Sequence, residues 1–267
     1  MREQLFELWQ QSARDVINLT APLSPEQWQA ATPCPGWTVG DVVAHLTDVE
    51  SMVAGDARPD VTIDWTQFPH ITSDLGRATE VGVEARRHLS HADVVSEYAA
   101  MMARRRDQLA DVSGDVVSPF GNTIPVERLL GMRIFDTWVH EQDIRIAIDQ
   151  PGGMASPAAH ASAQMMLSGL PKAWGKTVAP AVGSTLRVTV TGPGIEADVA
   201  YRIADDGKAV PVDPGEATVH CTMTWPDYFL IATGRIDPDD AELRSRIETS
   251  GDPELVAQTL RAMNVAP

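Results

Sequence analysis

Residues 125–148 read PVERLLGMRIFDTWVHEQDIRIAI, a long run that opens on proline and is closed by Gly152-Gly153. Proline suits the first position of a helix, where its missing N–H would be unpaired anyway, so this stretch predicts one helix from Pro125 to about Ile148. Four residues on a helix return to the same face. Asp136 and His140 therefore present a carboxylate and an imidazole side by side, and Asp143 shares that face. Helix bundles build metal sites from such inward groups on facing helices, so a further ligand is expected from a neighbouring helix, with His45 in DVVAHLTDVE as the candidate.

Upstream, Leu5, Leu8, Trp9, Val16 and Leu19 recur at three- and four-residue steps, the stripe of an amphipathic helix. Ser24-Pro25-Glu26-Gln27 writes a capping box for a short turn of helix. Thr32-Pro33-Cys34-Pro35-Gly36 breaks the pattern, and Thr38 with Asp41 restarts a helix to about Val53. Further helices are expected over Asp74–His88 and over Ala92–Ala110, the latter through Val95, Tyr98, Met102 and Leu109. A breaker-rich loop follows from Ser113 to Thr123. Four principal helices and several shorter ones predict a bundle.

Downstream, a helix is expected from Pro157. After Gly175 the texture changes: LRVTVTG, IEADVAYRIA and ATVHCTMT read as strands, WPDYFLIATG as a helix, Ser245–Ser250 as a strand, and Pro253–Met263 as a closing helix capped by Asp252. The fold class is thus α+β in two domains, a helical bundle over 1–175 and a small α/β domain over 180–267, with the boundary near residues 172–184.

Composition narrows the partners. A chain of 267 residues with 43% hydrophobic residues can build cores without staples, and its two cysteines, Cys34 and Cys221, make neither a disulfide framework nor a metal knuckle. A net charge of −16 repels nucleic-acid phosphates and anionic lipid, and no stretch approaches the roughly 20 apolar residues of a membrane span. The N-terminus carries no signal-peptide pattern. The expectation is a cytoplasmic monomer or homodimer with small-molecule partners and neither nucleic acid nor membrane. Arg104-Arg105-Arg106 is read as a solvated helix face.

Two imidazoles and one carboxylate, with coordination positions left open, form the ligand set of a reactive zinc or related divalent site. By spacing alone, Asp136 and His140 are equally written by an i,i+4 ion pair, and His45 beside Asp41 and Asp48 by a hydrogen-bonding group. Cys34 has no basic neighbour in sequence and is read as structural; Cys221, inside a strand, as core. Trp37 and Trp138 are expected to pack the bundle, and Glu141 to be solvated.

TPCPGWTVGDVVAHL (residues 32–46) followed by RIFDTWVHEQDIRIAI (residues 133–148) resembles the two signature segments of the DinB-like metalloenzymes, specifically the mycothiol-dependent maleylpyruvate isomerase family. DYFLIATGRIDPDDAELRSRIETSGDPELVAQTLRAM is similar to that family's small C-terminal domain, itself akin to sterol-carrier-like α/β folds. The resemblance implies a DinB-like four-helix bundle holding a divalent metal, usually zinc, through His45, Asp136 and His140. The chain departs from the family's E-x-x-x-H pattern by carrying Asp136, one methylene shorter than glutamate.

The resemblance also implies mycothiol as thiol cosubstrate, presented as a nucleophile to a small electrophile for cis–trans isomerisation or S-transfer. A non-catalytic small-molecule-binding module and a metal-dependent hydrolase are the alternatives. Arg235 stands where the family carries a functionally implicated arginine, and Arg133 lies one turn before Asp136; either can hold a substrate carboxylate bidentately, Arg133 serving otherwise as a structural salt bridge. Asp143 is the candidate acceptor that orients a ligand histidine through its other ring nitrogen.

Overall fold

A computed structural model describes residues 1–118 and 121–265; Pro119 and Phe120, inside the loop expected at Ser113–Thr123, lie outside the described residues. By contact the chain divides into two compact units, Met1–Gly152 and Gly153–Pro267.

The first unit contains helices α1 (Arg2–Thr20), α2 (Pro25–Trp28), α3 (Val39–Val53), α4 (Asp74–Glu84) and α5 (His91–Leu109), a hairpin of β1 (Asp115–Val117) and β2 (Thr123–Pro125), and helix α6 (Val126–Ala147). Both expected capping boxes form. Ser24 with Gln27 opens α2, and Thr38 Oγ1 accepts from the Asp41 amide at 3.2 Å while Asp41 Oδ2 accepts from the Thr38 amide at 2.9 Å at the start of α3. That start sets the rotation of α3, and with it the direction in which His45 points.

The long helices α1 and α3 each pack against both α5 and α6, closing a ring of four. Leu129, Leu130, Ile134, Trp138 and Ile144 of α6 are each 1% exposed or less. A helix buried nearly all round sits inside its unit, and each such side chain contributes about 1.5–3 kcal/mol through burial. The β1–β2 hairpin is absent from the sequence reading because only Ile124 of its six residues is buried, which leaves no alternation to detect. Helix α4 ends at Glu84, short of His88; beyond it Arg86 turns inward to the Gly82 carbonyl and the Asp48 carboxylate.

The second unit begins with α7 (Pro157–Lys172), which runs into a π-helical turn over Ala173–Val178. It continues through β3 (Thr185–Thr191), β4 (Ala197–Ile203), β5 (Ala209–Val212), β6 (Val219–Thr224), α8 (Trp225–Ala232), α9 (Ala241–Arg246), β7 (Glu248–Gly251) and α10 (Pro253–Ala262). The sheet order is β5-β4-β3-β6-β7, with β3 and β6 parallel and the other pairs antiparallel. In β3 the residues Leu186, Val188 and Val190 are buried and those between them half-exposed, the pattern of a sheet covered on one face. Helix α8 packs on β3 and β6, and α10 on β6 and β7.

The contact division falls at Gly152–Gly153, upstream of the boundary expected near residues 172–184. Composition alone groups α7 with the helices before it, whereas its packing against β5 and the π-helical turn ties it to the sheet. Strand β5 and helix α9 were not expected: Pro211 disguises the first, and the second is six residues long.

Candidate metal centre

In a helical interior, charged side chains are costly unless paired. The first unit buries His45, Glu50, Arg105, Arg133, His140 and Asp143 nonetheless, each 7% exposed or less. His45 comes from the second turn of α3, and Asp136 and His140 from successive turns of α6.

The structure brings these three together. Nε2 of His45 lies 3.7 Å and Nε2 of His140 3.8 Å from Oδ1 of Asp136. All three donor atoms fall within 4.8 Å of one another. Neither distance to Asp136 is a hydrogen bond, since such bonds close to about 2.7–3.2 Å. Tetrahedral ligands at the usual zinc distances stand about 3.4 Å apart, so the observed spacing suits a divalent ion after a small contraction. The Asp136 side chain is 28% exposed against 7% and 9% for the histidines, so the cluster is reached from the carboxylate side. The ring of Trp37 flanks both imidazoles at 4.9 and 6.1 Å, with its indole N–H held by Glu80 at 2.8 Å.

The electrostatics differ at each member. Burial lowers the pKa of His45 against the pull of Asp136. Burial also works to lower that of His140, but Asp143, Cys34 and Asp136 outweigh it and raise it to about 10. For Asp136, burial would raise the pKa, yet Arg133 and the two imidazoles hold it well below the ordinary carboxylate range.

Behind the cluster lies a polar frame. Arg133 donates from Nη1 to Asp136 Oδ2 and from Nε to Glu50 Oε1, both at 2.9 Å. Glu50 also accepts from Trp9 Nε1 at 3.1 Å and Arg105 Nε at 3.3 Å. Trp9, Glu50, Arg105 and Arg133 stand on α1, α3, α5 and α6, so one carboxylate ties all four long helices together. On the other side of His140, Nδ1 meets Asp143 Oδ2 at 2.9 Å, and the Cys34 thiol donates to the same oxygen at 3.2 Å.

Several expectations are corrected here. Arg105 is not on a solvated face; it turns inward to Glu50, while Arg104 pairs with Asp56 and Arg106 with Asp107. Its position on the Tyr98, Met102, Leu109 stripe was the signal available in the sequence. Glu50 likewise falls on the Val43, Leu46 stripe of α3. Glu141 is 4% exposed and accepts from Arg145 at 2.7 Å rather than facing water. Cys34, without a basic neighbour in sequence, has His140 Nδ1 3.9 Å away in space. Trp138 and Cys221 are core, as expected. Arg235 lies in the second unit, after α8, where Nη1 donates to the Thr233 carbonyl at 2.6 Å.

A cavity of about 240 Å³ beside Trp28, Asp41, Arg86 and Arg87 is a separate feature of the first unit, and both its arginines are engaged by carboxylates. No helix among the described residues is long and apolar enough to cross a membrane.

Residues 9–145 match the family model of the mycothiol maleylpyruvate isomerase N-terminal domain. Two uncharacterised proteins of Mycobacterium tuberculosis, from strains CDC 1551 / Oshkosh and ATCC 25618 / H37Rv, are 26% identical over 145 residues, 54% of this chain and 54% of each relative. The chain spans about half the length of these curated relatives. Two crystal structures of the mycothiol-dependent maleylpyruvate isomerase, one of a mutant, superpose with a TM-score of 0.56 at 14% identity, covering 94% of this chain and 93% of theirs. That likeness is one of fold. A solution structure of a sterol carrier domain from Helicoverpa armigera reaches a TM-score of only 0.29 over 38% of the chain, too low to assign its fold to the second unit.

Proposed function

This chain belongs to the mycothiol maleylpyruvate isomerase N-terminal domain family, and on that footing we propose that it is a divalent-metal enzyme using a low-molecular-weight thiol, mycothiol, to isomerise or S-conjugate a small electrophile. The observation that carries the reading is the convergence of His45 Nε2, Asp136 Oδ1 and His140 Nε2, from two helices, at spacings too long for hydrogen bonds and suited to a shared cation. The first unit is read as a DinB-like bundle and the second as a sterol-carrier-like α/β domain. Two free cysteines accord with a reducing, cytoplasmic setting.

His45, Asp136 and His140 would hold the ion, zinc by the chemistry of the donor set. When bound, such an ion stabilises a thiolate and so supplies a nucleophile at neutral pH. The chain's own residues prepare the place for it. Arg133 occupies Oδ2 of Asp136 and turns Oδ1 toward the imidazoles; its role is to position the carboxylate. Asp143 accepts from His140 Nδ1–H, which in the neutral imidazole leaves the Nε2 lone pair directed at the cluster. Trp37 walls one side with an apolar ring. Glu50 and Asp136 are paired with the guanidinium groups of Arg105 and Arg133, and Asp143 with His140. Arg235 is proposed as a carboxylate-binding group for the electrophile.

The test is metal analysis and activity of the full chain. About one equivalent of zinc or a similar ion is expected, lost in the His45→Ala/His140→Ala double variant. Turnover of maleylpyruvate, or conjugation of monochlorobimane, is expected only with mycothiol present. Full metal retention in the double variant refutes the ligand assignment. Equal turnover without thiol points instead to a hydrolase, and no turnover with any thiol to a binding module.

A further inference from the structure

We infer that Cys34 is a positioning residue of the cation site, its thiol holding the Asp143 carboxylate that in turn orients His140; the inference rests on reading His140 as a cation ligand. Cys34 Sγ stands 3.2 Å from Asp143 Oδ2, the oxygen that also meets His140 Nδ1 at 2.9 Å, and sulfur and ring nitrogen are 3.9 Å apart. Thiol, imidazole and carboxylate thus form a closed triangle on one oxygen. Asp143 is fully buried, so this carboxylate takes its hydrogen bonds from protein groups rather than from bulk water.

With Asp143 ionised, the triangle also assigns the protons. An ionised carboxylate only accepts, so the thiol must direct its S–H at Oδ2 and His140 its Nδ1–H. Asp143 lies three residues from His140 on the same helix, and a carboxylate held from one side can swing about its side-chain torsions. The second donor arrives from a different part of the chain and removes that freedom.

The part of the chain that delivers it is a turn closed by its own hydrogen bonds. Thr32 donates to the Trp37 carbonyl from its amide and its hydroxyl, both at 2.9 Å; Trp37 N donates to Cys34 O at 3.1 Å, and Cys34 N to Thr32 Oγ1 at 3.2 Å. Gly36 closes the turn at φ +79°, where a Cβ would also meet the His70 ring at 2.7 Å. The same turn continues into Thr38, the cap of α3, so it links the helix bearing His45 to the helix bearing His140 through one S–H···O contact.

The test compares zinc affinity, by competition with a chromophoric chelator, and the visible spectrum of the cobalt(II) form, for full-length wild type and the variants Cys34→Val, Cys34→Ala and Cys34→Ser. Valine keeps the volume without a donor, and serine restores a donor. Valine and alanine are expected to weaken zinc binding roughly tenfold, at the low end for outer groups around a metal ligand, and to shift the cobalt bands; serine returns both to within about twofold. Wild-type affinity and spectrum in Cys34→Val, or a serine variant as weak as valine, overturn the inference. If valine and alanine both prevent folding, the serine variant decides: wild-type cobalt bands support the role and shifted bands refute it. A wild-type chain that binds neither zinc nor cobalt refutes the proposed function together with this inference, whereas wild-type binding with unaffected variants refutes only the role of Cys34.

Discussion

Arg133 and Asp136 stand three residues apart on α6, and the guanidinium Nη1 grips carboxylate Oδ2 at 2.9 Å, leaving Oδ1 to face two imidazoles. The same guanidinium holds Glu50, so one cation serves two carboxylates, one of them deeply buried. Replacing Arg133 with methionine should destabilise the metal-free protein by about 3–5 kcal/mol in urea unfolding, because Glu50 loses a partner it cannot replace with water. Adding Glu50→Gln should deepen the loss, because it takes from buried Arg105 the carboxylate it pairs with. A cost below about 1 kcal/mol would show that the frame does not depend on this pair.

Asp143 tests the orientation of His140 separately. Asp143→Asn keeps the size of the side chain but removes its charge and half its acceptor capacity. Zinc affinity, measured by chelator competition, should fall about 10–100-fold while far-UV circular dichroism is unchanged. A change of less than about twofold would remove Asp143 from the site's support.

Gly82 on α4 lies against the buried carboxylate of Asp48: a Cβ built there would sit 1.9 Å from the carboxyl carbon. Asp48 cannot swing aside, being held by Arg58 at 2.6 Å and Arg86 at 3.4 Å. Gly82→Ala is therefore expected to cost about 3 kcal/mol, far beyond the usual effect of alanine in a helix, which favours it over glycine. A variant as stable as wild type in urea would contradict this packing.

The two cysteines should differ in reactivity. Burial pushes the Cys221 thiol up to about 12, so at pH 8 roughly one molecule in 10⁴ carries the thiolate that alkylating agents attack. Raising the pH toward 12 increases that fraction; lowering it removes what little exists. Peptide mapping after iodoacetamide treatment at pH 8 should leave Cys221 unmodified in the native chain and fully modified in guanidinium. Rapid native labelling would place Cys221 outside the core.

Much of this protein is written locally in its chain. The starts of α2 and α3 follow from Ser24 with Gln27 and Thr38 with Asp41, and α10 from Asp252, because a cap needs only residues within one turn. The shared face of Asp136 and His140 follows from helical pitch alone, and the β-branched runs of β3 and β6 from their alternation. None of these depends on where a neighbouring element lies.

Tertiary packing decided the rest. Of seven histidines, His45 joins Asp136 and His140 because α3 and α6 pack at one particular rotation; Arg105, and not its two neighbours, turns inward because Glu50 waits there. Cys34 meets Asp143 across 109 positions of sequence, and α7 joins the sheet rather than the helices that precede it. Caps and periodicities act over three or four residues and leave a trace in the sequence, whereas a contact between distant segments exists only once burial has driven their helices together, and no local pattern encodes which polar groups will then face each other.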